Sequence, residues 1–125
     1  MKRFIAVLSI VCAIWTLFAV SSYAAKMSPY SGVSHCLTDA STFGKRKETM
    51  TIKNKQKEVI EIKATVRLFV KNKYSSGDYL NNHKLKPGKQ ITISSENEKN
   101  ASYGKYNYVI TSNSGTTWGD SNTDW

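Results

Sequence analysis

His35 and Cys36 are neighbours, and an imidazole beside a thiol is the raw material of a nucleophile. Successive side chains on an extended chain point to opposite sides. No third group stands ready to orient the pair, so catalysis is not expected from it. Cys36 reads instead as a free thiol able to form an intermolecular disulfide, giving a Cys36-linked homodimer. His35, Cys36 and His83 lack the paired spacings of a zinc site, and no metal or other cofactor is expected. Asp120 and Asp124, with Ser121, Asn122 and Thr123, gather oxygen atoms in a short stretch. A calcium loop needs denser carboxylates and a placed glycine, so a solvated tail is the expectation.

Paired carboxylates for glycoside hydrolysis would have to come from nine acidic residues. Glu96 and Glu98 sit in an Asn/Lys-rich stretch that reads as exposed loop. Glu61 lies among Lys63 and Arg67, where a cross-strand ion pair accounts for it. Neither a Ser-His-Asp arrangement nor a phosphate-cradling glycine loop is visible, and the chain is not expected to be an enzyme.

Charge is the stronger clue. Between Lys45 and Lys73 stand ten basic residues against three acidic ones. Lys53, Lys55, Lys57, Lys63, Arg67, Lys71 and Lys73 are the candidates for contact with an anionic surface, because a confined positive field meets an anionic partner there. Aromatic side chains near lysines can stack on sugar rings or sit at a membrane interface. Tyr106 and Tyr108, at strand spacing, read as core. Trp118 and the terminal Trp125 are the candidate aromatic contacts, Trp125 being the harder to place in a core.

These residues need a compartment. Met1, Lys2 and Arg3 open the chain with positive charge, and Phe4 to Val20 carries none. Ser22, Tyr23 and Ala24 then give the small-residue pattern of a cleavage site, so residues 1–24 read as a secretory signal peptide cut after Ala24. A span needs about 20 apolar residues, which argues against an uncleaved anchor. Val11 is too large to precede a lipid-modified Cys12. The mature chain, from Ala25 onward, carries 16 basic and nine acidic residues and a single cysteine. An internal disulfide is impossible with one thiol, so packing and strand pairing must hold the domain. That pattern fits a bacterial exported protein.

The scaffold that positions the candidates is read from periodicity. Residues 25–46 show no sustained period and are expected to form an irregular arm before a domain at 47–125. Thr49 to Ile52 alternate, and Asn54 to Lys57 reads as a turn. Ile60, Ile62, Ala64, Val66, Leu68 and Val70 are apolar at every second position, the pattern of a long, half-buried strand. At about 12 residues it exceeds the usual 5–6 and is expected to bend or bulge. Asn72 to Gly77 reads as a loop and 78–80 as a short edge strand. Leu85-Lys86-Pro87-Gly88-Lys89 has the chemistry of a turn, followed by a strand at Gln90–Ser94. A polar loop over 96–104, a strand through Tyr106, Tyr108 and Ile110, a turn at 113–115 and a short strand near Trp118 complete the reading.

Five to six short strands without an amphipathic helix predict an all-β fold, a small antiparallel β-sandwich. The layout of strand, Leu-Lys-Pro-Gly turn and Ile-Thr-Ile strand resembles immunoglobulin-like modules. A secreted basic β domain of this kind is expected to be a non-enzymatic module that binds anionic cell-envelope polymers or membrane surfaces, and nucleic acid is not an expected partner. The outline is also similar to signal-peptide-bearing bacteriocins such as the lactococcin 972 group, being basic, disulfide-free, β-rich and closed by a Trp, which implies an antibacterial role as an alternative. An exported structural protein without a specific ligand is the third.

Overall fold

Alternation along β3 (Ile60–Val70) sets the architecture. Ile60, Ile62, Ala64, Val66 and Leu68 are all fully buried, because one face of this strand packs on a second sheet while the other looks outward. The computed structural model describes residues 27–39 and 44–125. The signal peptide expected at 1–24 and its cleavage after Ala24 lie outside these residues.

The remaining strands are β1 (Val33–Asp39), β2 (Lys45–Lys53), β4 (Lys73–Leu85), β5 (Gln90–Ser94), β6 (Glu98–Lys99), β7 (Ala101–Ser112) and β8 (Thr117–Asp124). They form two antiparallel sheets that face each other as a sandwich. One has the order β1-β2-β5, with β6 also paired to β2; the other has the order β4-β3-β7-β8. The all-β sandwich expected from periodicity is the observed fold, with eight strands among the described residues in place of five to six.

The differences have local causes. Residues 33–39 fall inside the expected irregular arm yet form β1, whose Val33, His35 and Leu37 pair with Ile52, Met50 and Glu48. The expected loop over 72–77 is only a two-residue turn. Lys71 and Asn72 both have positive φ, 51° and 64°, the backbone of a tight hairpin whose twist matches its strands. The strand therefore resumes at Lys73 and runs for 13 residues. The anticipated irregularity in β3 is present as register shifts against β4 at Ile62/Ala64 and Leu68/Phe69. The expected solvated tail is β8, paired to β7 from Thr117 to Asp124. Its Asp, Ser and Asn residues disfavour strands on their own, and pairing with β7 overrides that preference.

Between the sheets lie Met50, Ile52, Ile62, Val66, Leu85, Ile93, Tyr106, Tyr108 and Ile110, closed at one end by Tyr30. The Tyr30 amide donates to the Tyr108 hydroxyl at 3.0 Å, and its own hydroxyl accepts from the Lys55 amide at 2.9 Å. Asn54, also buried, organises the crossover from one sheet to the other. Its Nδ2 donates to the carbonyls of Glu58 and Leu85, both at 2.8 Å, and its Oδ1 accepts from the Gln56 amide at 2.8 Å. Replacing it strands buried backbone groups, each costing about 1 kcal/mol or more. Asn54→Ala is expected to lower the unfolding free energy by about 3 kcal/mol, read from the urea midpoint.

Candidate functional site

The outward face of the β4-β3-β7-β8 sheet is where cationic and aromatic residues converge. Odd-numbered residues of β3 face outward, and register brings Arg67 opposite Lys105 and Gly77, and Phe69 opposite Tyr103 and Tyr74. The Phe69 ring stacks on Tyr103 at 4.8 Å and meets Tyr74 edge-on at 6.1 Å. Trp125 extends the row, its ring 5.2 Å from Tyr103 and the residue 80% exposed. The Arg67 guanidinium lies 5.9 Å from the Phe69 ring centre. The Lys105 ammonium is 5.7 Å from Phe69 and 5.8 Å from Tyr103.

This arrangement changes the chemistry of Arg67. Burial pushes its guanidinium below the ordinary value, against an opposing effect from the Tyr74 and Tyr103 hydroxyls, and its Nε has no hydrogen-bond partner among the described residues. Burial likewise raises the Tyr74 hydroxyl. Gly77 makes the approach of Tyr74 possible. A Cβ there would strike the Val66 carbonyl oxygen and stand 3.1 Å from the Tyr74 hydroxyl. Beneath the same face, Thr65 and Asn107 stand opposite each other in register. They are 5% and 2% exposed, and Thr65 Oγ1 and Asn107 Oδ1 have no partner among the described residues. A partly desolvated guanidinium is a strong donor to phosphate or carboxylate. Flat rings beside it offer stacking surface for sugars or apolar chains.

The lysine-rich segment does not form one contiguous surface. Lys53, Lys55 and Lys57 are exposed around the β2–β3 crossover. Lys71 and Lys73 sit at the β3–β4 turn, separated from the first group by the length of β3, about 30 Å. Lys63 and Arg67 lie between, on the outward face. Of the basic candidates, Arg67, Lys71 and Lys73 are at the aromatic end, and Lys53, Lys55 and Lys57 are not. Trp118 is partly buried against the core, its ring 4.8 Å from Tyr30, and lies apart from the aromatic row. Cys36 is exposed, with Sγ 3.6 Å from Thr49 Oγ1. His35, on the opposite face of β1, instead contacts Asp124.

Sequence reading picked out Arg67 and Trp125 but left out Phe69, Tyr74 and Lys105 and did not select Tyr103. Arg67 and Phe69 are two apart on the polar face of β3, which was the available signal. Their partners on β4 and β7 depend on register, and the register is not written in any one segment.

No family model matches the chain, and no curated protein matches it. Among solved structures it is similar to a FixG-related protein from Vibrio parahaemolyticus, with 14% identity and a TM-score of 0.41 over 74% of this chain and 93% of that one. It is also similar to the Northeast Structural Genomics Consortium target SoR45, with 14% identity and a TM-score of 0.36 over 74% and 80%. A third is Spo0M, a sporulation control protein from Bacillus subtilis, with 14% identity and a TM-score of 0.32 over 74% of this chain and 47% of that one.

Proposed function

We propose that this protein is an exported, non-enzymatic binding module whose aromatic and cationic face attaches to phosphate- or carboxylate-bearing polymers of the cell envelope. The observation that carries this reading is Arg67, half-buried against Phe69 and flanked by Tyr74, Tyr103 and Lys105, with Trp125 exposed beside them. Desolvated cations gain more from an anion than solvated ones, and the rings supply contact area that excludes water. The positive n-region and Ser22-Tyr23-Ala24 support export. The lysines at the far end, around Lys55, contribute long-range attraction only.

Co-sedimentation of the purified protein with isolated cell walls tests this. Retention is expected to fall at least ten-fold between about 50 and 500 mM salt. Arg67→Ser combined with Lys105→Ser is expected to weaken retention about ten-fold or more, whereas serine at Lys53, Lys55 and Lys57 together changes it by less than about three-fold. Salt-insensitive retention, or equal loss from both sets of substitutions, contradicts the proposal. Vesicles of anionic lipid run in parallel separate a lipid headgroup from a wall polymer as the source of the anion. Clearing of Gram-positive lawns by the same protein would favour the antibacterial alternative.

A further inference from the structure

A second cluster lies between the sheets, away from the aromatic face. Glu48 stands on the inward face of β2 in line with Met50 and Ile52. It is 0% exposed, and among the described residues no hydrogen-bond donor meets either carboxyl oxygen. Asp124 comes from β8, opposite Gly104, and His35 from β1. The His35 Nδ1 is 2.9 Å from both carboxylate oxygens of Asp124. One donor atom from each of the three residues lies within 4.8 Å of the others. The His35 ring is stacked on Tyr106 at 3.7 Å, and the Tyr106 hydroxyl donates to Asp120 at 3.0 Å, which fixes the imidazole plane.

We propose that His35, Glu48 and Asp124 form a binding site for a divalent transition-metal ion of the zinc class. Tetrahedral zinc bonded at about 2.0–2.2 Å spaces its donors about 3.3 Å apart, so small side-chain rotations close the present cluster around an ion. One imidazole with two carboxylates suits zinc, whereas calcium needs six or more oxygen ligands. A buried carboxylate with no partner is costly unless a cation or donor meets it. The His35 and Asp124 side chains are 30% and 15% exposed, which leaves an entry path and a coordination position for water. The three ligands come from β1 and β2 of one sheet and β8 of the other. A bound ion would therefore staple the two sheets at the end where β8 finishes, a role a disulfide fills in many small secreted domains.

Titration of the chelator-stripped protein with Zn²⁺, followed by calorimetry and thermal melting, tests the site. One equivalent is expected to bind, and the melting temperature should rise by several degrees at a hundred-fold excess over Kd. Ca²⁺ at the same concentrations should leave it unchanged. Glu48→Gln, Asp124→Asn and His35→Gln are each expected to weaken binding at least ten-fold, while Cys36→Ser and His83→Ala leave it intact. Zinc X-ray absorption gives an independent readout, with nitrogen and oxygen neighbours and no sulfur expected. Sulfur in the coordination shell, binding unaffected by Glu48→Gln, or no binding at millimolar zinc overturns the proposal.

Discussion

Alanine at position 104 is expected to destabilise the fold by about 3 kcal/mol, the upper range for overpacking a closed core. Gly104 lies on the inward face of β7 in line with Tyr106, Tyr108 and Ile110, and Glu48 projects from the opposing sheet into the space left by its missing side chain. A methyl group there would collide with Glu48 Oε2, and would come within 2.6 Å of its Cδ and 2.9 Å of its Cβ. The carboxylate could swing away, but the Cβ is tied to the β2 backbone. Relief therefore requires the sheets to part. Urea unfolding of Gly104→Ala should show a lower midpoint with an unchanged slope. Glu48→Ala removes the carboxylate and Cδ contacts but keeps the Cβ, so the double variant should lose clearly less than the sum of the two single losses. Strict additivity would mean that the two positions do not touch.

The second large effect concerns the same acid. Burial, the largest cause, together with Asp124 and then Cys36, pushes the Glu48 carboxyl up to about 10. Asp124 acts both as a hydrogen-bond acceptor for the protonated Glu48 carboxyl and through its negative charge. A carboxyl at about 10 in the folded protein and 4.5 in the unfolded chain is ionised when unfolded and protonated when folded over the interval between them, so folding takes up a proton there. Its contribution to stability is complete below the lower value and is lost as pH rises through the interval, by up to about 1.4 kcal/mol per unit. Metal-free protein in chelator should accordingly melt at falling temperatures from pH 5 to pH 9. Glu48→Gln carries no ionisable group and should flatten that slope, ending more stable than the parent at pH 8 by an amount on the order of 2 kcal/mol. Parallel pH profiles for the two proteins would show that Glu48 is not held protonated.

Glu48 also marks where the sequence is readable and where it is not. The two-residue alternation that exposes β3 continues in β2, and traced backwards through Ile52 and Met50 it lands on Glu48. An acid on an apolar face was a legible signal, hidden by the run of Lys45, Arg46 and Lys47 that makes the region look solvated. The glycine that accommodates it lies 56 positions away on another sheet, and only tertiary pairing brings the two together. The turns at Pro87-Gly88 and Ser114-Gly115 were legible because their φ requirements are local, with Gly88 at 76° and Gly115 at 97°. β1 and β8 were not, because their polar residues form strands only when β2 and β7 offer edges to pair with. The same holds for the candidate face, where Phe69 belongs with Tyr74 and Tyr103 through register.

The most direct measurement of the proposed function is an NMR titration of isotopically labelled protein with a soluble polymer of repeating phosphodiesters. Saturable shifts are expected at Arg67, Phe69, Tyr74, Tyr103, Lys105 and the indole of Trp125. Lys55 and Lys57 should move little, and salt should reverse the changes. Shifts spread evenly over all exposed lysines, or confined to the 53–57 end, would contradict the assignment of this face as the binding surface.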